Sequence, residues 1–88
     1  MLADVVAVRV TGPLRLWVRF DDGAEGEVAL EGRVRMDGVF APLLDPEIFA
    51  QVRVDPDIGT ITWPSGADLD PIVLHSWVTG SPLPGGPG

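Results

Sequence analysis

Cysteine, lysine, asparagine and tyrosine are all absent from this chain of 88 residues. Without cysteine there can be no disulfide framework, no thiolate metal site and no cysteine nucleophile, so stability must come from packing. No segment approaches the ~18–20 consecutive apolar residues that cross a membrane, and residues 1–4 lack the basic start of a secretory signal. We therefore expect a cytoplasmic protein with no membrane association.

Basic charge is also scarce. Six arginines supply all of it against thirteen acidic residues, and the net charge is −7. A charge of this sign repels phosphate backbones at long range, so nucleic acid is not expected as a direct partner. Hydrophobic residues make up 45% of the chain, which is enough to form a core. We expect a single domain over residues 1–78 and a flexible tail rich in proline and glycine over residues 79–88.

Two antiparallel strands are predicted near the start of the chain. A β-branched run at residues 5–10 ends at a turn, and an alternating run follows at residues 14–20. The alternation places leucine, valine and phenylalanine on one face and Arg15, Trp17 and Arg19 on the other. We expect the first face to lie in the core and the second to be open, at least in part, to water.

A glycine turn after the second strand allows two hairpin registers. A two-residue turn would set Phe20 opposite Glu25 and bury carboxylates beside the core. A three-residue loop, with Gly23 in the left-handed region as a bulge, instead sets Phe20 opposite Ala24 and Arg19 opposite Glu25. The second register pairs opposite charges across the strands, so we predict the bulged hairpin.

Two short helices are predicted from a repeated start signal. Asp45 and Asp70 each precede a proline, which is the pattern of an N-cap followed by the first helical residue. The first helix should point Phe49 inward, and the second should run through about Trp77. Residues 31–44 have no clean period, and we expect them to form a connector that lies against the core.

A second hairpin is predicted from residues 52–55 and 60–63, with Val54 opposite Ile61. The fold class that follows is a small α+β domain, mostly antiparallel β-sheet made of two hairpins or a meander, with two short helices packed on it. The predicted core consists of the inward apolar positions of these elements: Val6, Val8, Val10, Leu16, Val18, Phe20, Val28, Phe40, Leu43, Phe49, Val54, Ile61, Trp63, Leu69 and Leu74.

A rigid corner is predicted at residues 61–71, where a strand end, a sharp break and a helix start follow one another. Proline cannot donate to a continuing ladder, so the strand should end at Trp63. Asp68 is expected to hydrogen-bond backbone amides at the corner. We assign structural roles there to Trp63, Pro64, Gly66, Asp68 and Asp70.

The turn at residues 20–23 (F-D-D-G) and the corner at residues 61–71 (I-T-W-P-S-G-A-D-L-D-P) together resemble the bacterial family known as domain of unknown function 2442. The resemblance covers about residues 5–77. It departs at Leu74-His75, where the family often has a leucine-tyrosine pair. Genes of the family often lie beside genes for small toxin-like proteins, so the resemblance implies an antitoxin-like binding role, and it implies no DNA-binding activity for this chain.

One candidate site is the strand face that carries Arg15, Trp17 and Arg19. Tryptophan and arginine dominate protein–protein hot spots, so these side chains are candidate partner-binding residues. In the competing interpretation, a helix of the same domain covers Trp17 and the guanidinium groups stack on it. The expected partner is the product of a neighbouring gene or a second copy of the chain, and a net acidic charge would speed encounter with a small basic protein.

A second candidate site combines Asp68, Asp70 and His75. Carboxylates with an imidazole can bind a divalent metal or act in acid–base catalysis, so the alternative function is a small metal-binding protein or enzyme. Asp70 is already explained as an N-cap and Asp68 as a corner residue. We therefore favour a non-enzymatic protein-interaction module with no catalytic residue, no metal and no cofactor.

Overall fold

The protein is described by a computed structural model in which residues 3–80 are placed. Within residues 3–80, five strands and two α-helices follow one another, with a 3₁₀ helix between the third strand and the first α-helix. Their bounds are β1 (Val5–Gly12), β2 (Arg15–Phe20), β3 (Glu25–Ala29), the 3₁₀ helix (Gly38–Leu44), α1 (Pro46–Phe49), β4 (Arg53–Asp55), β5 (Thr60–Thr62) and α2 (Pro71–Thr79). The predicted α+β class is confirmed.

The strands form two antiparallel sheets. β1, β2 and β3 are joined in that order as a meander, and β4 and β5 form a separate pair. Val54 lies opposite Ile61, as predicted. The two sheets meet at Val5, whose N–H donates to the carbonyl of Gly59 at 3.0 Å.

The hairpin between β2 and β3 has the predicted bulged register. The N–H of Phe20 donates to the carbonyl of Ala24 at 2.8 Å, and Arg19 lies opposite Glu25. Gly23 has a φ of +91°, the left-handed conformation that the bulge requires. This register keeps both glutamates of β3 on the face that points away from the core.

A bulge in β1 reverses the predicted burial of its first residues. The pairing with β2 shifts between Val5 and Ala7, so Val6 is an extra residue without a partner. Val5 is 2% exposed and Val6 is 53% exposed. The prediction that Val6 lies in the core is wrong, because the bond from Val5 to Gly59 fixes the start of the strand and turns Val5 inward.

The core fills the space between the inner face of the meander, the β4–β5 pair and the helices. Several predicted members are only half-buried and pack against its edge: Val8, Val10, Phe40 and Val54. Leu30 and Ala67 are fully buried although neither was predicted. The buried apolar residues are Val5, Leu16, Val18, Phe20, Val28, Leu30, Leu43, Phe49, Ile61, Trp63, Ala67, Leu69 and Leu74.

Both α-helices begin at the predicted caps. The carboxylates of Asp45 and Asp70 each accept a hydrogen bond, at 2.9 and 2.8 Å, from the backbone N–H two residues further on. α2 extends to Thr79, two residues beyond Trp77, and ends at Gly80 with a φ of +72°. The rest of the predicted tail, residues 81–88, lies outside the described residues, and no helix within residues 3–80 has the length and apolar character to span a bilayer.

The connector for which no element was predicted contains a 3₁₀ helix, Gly38–Leu44. Leu43 is buried, whereas Val39 and Leu44 are 56% and 58% exposed. A 3₁₀ helix has three residues per turn and Pro42 interrupts its donors, so the apolar residues there do not follow the 3.6 period that marks an α-helix. The segment nevertheless lies against the core, as expected.

Candidate functional site

The outer face of the meander is the side that points away from the core. Because side chains alternate along a strand, the residues next to buried positions of β2 all project there. We use the term outer face for this surface, whose charged and aromatic members are Arg9 on β1, Arg15, Trp17 and Arg19 on β2, and Glu25 and Glu27 on β3. The structure therefore brings the three predicted partner-binding residues together on one surface.

Trp17 is half-buried on this face. Arg9 lies directly opposite it on β1, and the Arg9 guanidinium carbon is 5.0 Å from the centroid of the Trp17 ring. A cation–π contact at an exposed site contributes about 0.5–1 kcal/mol and limits the rotamers of both side chains. Trp17 is thus covered in part by an arginine of the neighbouring strand, which neither sequence-based interpretation had assigned.

The other two arginines of the outer face are paired with carboxylates. Arg15 Nη1 lies 3.1 Å from Glu27 Oε1, and Arg19 Nε lies 3.8 Å from Glu25 Oε2. All four side chains are about half exposed, so each pair contributes no more than about 1 kcal/mol. Arg9 has no carboxylate within ion-pair distance among residues 3–80, and its positive charge is not neutralised locally.

The corner after β5 is closed by backbone hydrogen bonds. The backbone N–H of Trp63 donates to Ala67 O at 2.9 Å, and Gly66 reaches a φ of +98° to close the turn after Pro64. The buried indole N–H of Trp63 donates to Phe49 O at 3.0 Å, and the two rings stack with centroids 5.8 Å apart. The corner therefore fixes α1 to the end of β5.

The carboxylate of Asp68 does not take part in this corner. Asp68 is exposed, and within residues 3–80 its side chain makes no hydrogen bond, so the predicted contact with corner amides is wrong. Its backbone pairs with Thr62 in an isolated bridge that leaves the side chain in solvent. Threonine hydroxyls bond to backbone carbonyls of the corner instead. Thr60 Oγ1 donates to Leu69 O at 2.7 Å, and Thr62 Oγ1 donates to Ala67 O at 3.0 Å.

His75 has a partner that the sequence did not indicate. Its Nε2–H donates to Asp22 Oδ2 at 2.8 Å, and its ring packs edge-on against Phe20 with centroids 4.7 Å apart. An N–H from Ala24 and then the hydrogen bond from His75 hold the pKa of Asp22 below its ordinary value of 3.8. His75 thus ties α2 to the β2–β3 turn.

The three residues of the second candidate site are engaged separately. Asp70 caps α2, His75 bonds Asp22, and Asp68 faces solvent. Within residues 3–80 no group of three or more histidine, aspartate or glutamate side chains is arranged to hold a metal ion. The geometry supplies no ligand set built on these residues.

The bulged hairpin and the corner both lie inside a segment that a family model recognises, residues 5–80. The chain belongs to the family described as protein of unknown function (DUF2442). No curated protein and no solved structure matches this DUF2442 chain significantly. The family description names no activity, so the function of this member has to be argued from its surfaces.

An apolar groove lies beside the β1–β2 turn of the DUF2442 domain, with a volume of about 300 Å³. Residues from the meander, the 3₁₀ helix and α1 line it: Val10, Gly12, Pro13, Leu14, Leu43, Leu44, Pro46 and Phe49. Leu44 is 58% exposed at its rim. No pattern in the sequence indicated this groove, because the segments that form it lie 29 or more positions apart along the chain.

Arg9 is the outer-face residue that sequence reasoning missed. The alternation of β1 puts Arg9 on the same face as Trp17, and a register shift between Val10 and Gly12 then sets the two residues opposite each other. The contact between His75 and Asp22 had no signal of this kind, because it joins residues 53 positions apart.

Proposed function

We propose that this DUF2442 protein is a non-enzymatic protein-interaction module that binds a protein partner through the outer face. The observation that carries the proposal is Trp17, which stays half-exposed on a face surrounded by arginines. Tryptophan and arginine are the residues most enriched among those that dominate binding energy at interfaces. We further propose an antitoxin-like role, in which the partner is the small toxin-like product of a neighbouring gene.

The side chains of the outer face are held in place before any partner binds, which supports this role. Arg15 and Arg19 are held by glutamates of β3, and Arg9 is held by the ring of Trp17. Side chains that are already ordered lose less conformational entropy when a partner binds, which favours affinity. The net charge of −7 adds long-range attraction to a basic partner.

The alternative, a metal-binding protein or enzyme built on Asp68, Asp70 and His75, has no supporting observation. Two of the three side chains are engaged in contacts that hold the fold, a helix cap and a bond to Asp22. No contact joins the three residues into a common site. The interaction module is therefore the function that we put forward.

Co-expression with the product of the neighbouring gene tests the proposal. A stable hetero-complex, identified by its mass in light scattering, is the expected result. Trp17→Ala should then weaken the complex by about 30-fold, because hot-spot tryptophans contribute about 2 kcal/mol or more. Arg35→Ala is the matched control, since Arg35 is 91% exposed and lies outside the outer face. A protein that binds none of its gene neighbours would contradict the proposal.

A further inference from the structure

β1 is an edge strand of the meander. The direction of its free backbone groups follows from two hydrogen bonds at the end of the neighbouring strand, β2. Asp21 N–H donates to Asp4 O on the β1 side, whereas Phe20 N–H donates to Ala24 O on the β3 side. Hydrogen bonds alternate along an antiparallel strand. Odd-numbered residues of β2 therefore bond to β1, and even-numbered residues bond to β3.

The open part of the edge lies at Val8 and Val10. Arg9 lies opposite Trp17, an odd-numbered residue of β2, so the backbone N–H and C=O of Arg9 bond to β2. The backbone N–H and C=O groups of Val8 and Val10, on either side of it, point away from the sheet. Among residues 3–80, no hydrogen bond satisfies the outward N–H and C=O groups of Val8 and Val10. The earlier part of β1 is closed, because Val5 N–H already donates to Gly59.

The apolar groove adjoins this open edge on the inner side. The side chain of Val10 lines it, together with Leu43, Leu44 and Phe49 from the 3₁₀ helix and α1. In a strand added beside β1, the residue opposite Val10 would point its side chain to the same side of the sheet. An aliphatic side chain at that position would enter the groove and cover the exposed Leu44.

The outer side of the same edge carries Arg9. The next residue of an added strand would project onto the outer face beside this guanidinium, which has no carboxylate partner within residues 3–80. Opposite charges on neighbouring strands stabilise a sheet. An acidic side chain is therefore favoured at that position.

We propose that β1 accepts an added strand from a partner protein, an extended segment with an acidic residue beside Arg9 and apolar residues on either side of it. Backbone bonds to Val8 and Val10 would hold the strand, and the groove and Arg9 would select its sequence. This inference rests on the proposed function, since it needs a protein partner, but it does not require Trp17 to carry the contact.

A partner segment fits this edge better than a second copy of the chain does. Antiparallel pairing of two β1 edges would bring two Arg9 guanidinium groups close together, and each copy carries a net charge of −7. Like charges on adjacent strands are destabilising. Arg9 thus opposes self-association at the same edge where it favours a carboxylate.

Peptide binding to the full chain tests the inference. The probe is a capped seven-residue peptide with leucine, glutamate and leucine at its centre and threonine elsewhere. We expect binding, with the amides of Val8 and Val10 shifted and protected from hydrogen exchange in NMR spectra. In an antiparallel strand the leucine N–H groups face β1, so N-methylation of both leucines should abolish binding while N-methylation of the glutamate preserves it. The reverse pattern would indicate a parallel strand and would also support the inference.

Charge reversal tests the role of Arg9. Arg9→Glu should weaken the glutamate peptide by up to about fivefold through loss of the charge pair, and further through the repulsion that replaces it, and should strengthen a peptide with lysine in place of glutamate. Leu44→Glu should weaken both peptides by adding a charge at the rim of the groove. Arg35→Glu is the control and should change neither.

Three results would overturn the inference: no peptide binding at about 1 mM, equal binding of both N-methylated peptides, or a homodimer formed through β1. If a complex with the neighbouring gene product forms and is lost in Trp17→Ala, the proposed function survives such a failure. If the peptides bind as described but no product of a neighbouring gene binds, the inference of an added strand is supported and the antitoxin-like role is contradicted.

Discussion

His75 Nε2 lies 2.8 Å from Asp22 Oδ2, although the two residues are 53 positions apart in the sequence. This hydrogen bond joins α2 to the turn between β2 and β3, and the His75 ring packs on Phe20 just inside the turn. A second acceptor oxygen of Asp22 takes the N–H of Ala24 at 2.9 Å. One carboxylate thus holds the bulged turn and the helix together.

This arrangement predicts a pH dependence of stability. The pKa of Asp22 is lower in the folded protein than its ordinary value of 3.8, owing first to the Ala24 N–H and then to His75. The ionised carboxylate therefore stabilises the fold above pH 3.8, and this stabilisation is lost as the pH falls through the lowered pKa. Asp22→Asn should lower the free energy of unfolding above that pH, with the difference from wild type shrinking below it.

Urea unfolding at a series of pH values measures this difference directly. Asp57→Asn is a control, because Asp57 is an exposed turn residue whose carboxylate takes no part in the bond to α2. A gap between wild type and Asp22→Asn that stayed constant down to the lowest pH would argue against the coupling.

Trp63 should tolerate replacement less well than Trp77 does. Trp63→Phe removes the donor to Phe49 O and leaves a small cavity, at a cost of about 1–3 kcal/mol. The carbonyl keeps a longer bond from Val52 N–H at 3.3 Å, which moderates the loss. Trp77→Phe is the matched control, since Trp77 is half-buried beneath Arg33, and its cost should be below about 1 kcal/mol. Equal losses in urea unfolding would contradict the assignment of Trp63 to the corner.

The β1 bulge predicts opposite outcomes at adjacent valines. Val5→Thr places a hydroxyl without a partner at a site that is 2% exposed, and should cost about 1–3 kcal/mol. Val6→Thr makes the same chemical change at a site that is 53% exposed, and should stay within about 0.5 kcal/mol of wild type. Thermal and urea unfolding of the two variants would show the reverse order if the bulge were absent.

Two glycines with positive φ should differ in their tolerance of a side chain. Gly23→Ala should cost about 1–2 kcal/mol for the left-handed backbone alone, because no atom lies within 4 Å of the added Cβ. Gly59→Ala should cost more, because its Cβ would lie 2.6 Å from Asp4 Oδ1. The double variant with Asp4→Ala should return to the cost of Gly23→Ala. An unchanged loss in the double variant would show that Asp4 is not the obstacle.

Local patterns were sufficient to predict most of the fold. The register of the β2–β3 hairpin followed from keeping Glu25 out of the core and Phe20 inside it, and the bond from Phe20 to Ala24 confirms it. The helix caps at Asp45 and Asp70 could also be predicted from the sequence, because an N-cap is defined within three residues. Alternation in β2 also identified the face on which Trp17 lies.

Features set by distant parts of the chain were not predictable in the same way. Val5 is buried in place of Val6 because Gly59, more than fifty positions away, bonds its N–H. Trp77 is half-buried, and the Arg33 guanidinium that lies 5.4 Å from its ring centroid comes from 44 positions earlier in the chain. The apolar groove and the contact between His75 and Asp22 likewise arise only when separate segments are brought together.

The three tryptophans allow unfolding and binding to be followed by intrinsic fluorescence. The chain contains no tyrosine, so its intrinsic fluorescence at wavelengths where phenylalanine does not absorb comes from Trp17, Trp63 and Trp77 alone. Trp63 is buried and emits from an apolar surrounding, whereas Trp17 is accessible at the outer face and open to quenchers. Emission from Trp63 would follow global unfolding, and quenching of Trp17 would follow partner binding, without any attached dye.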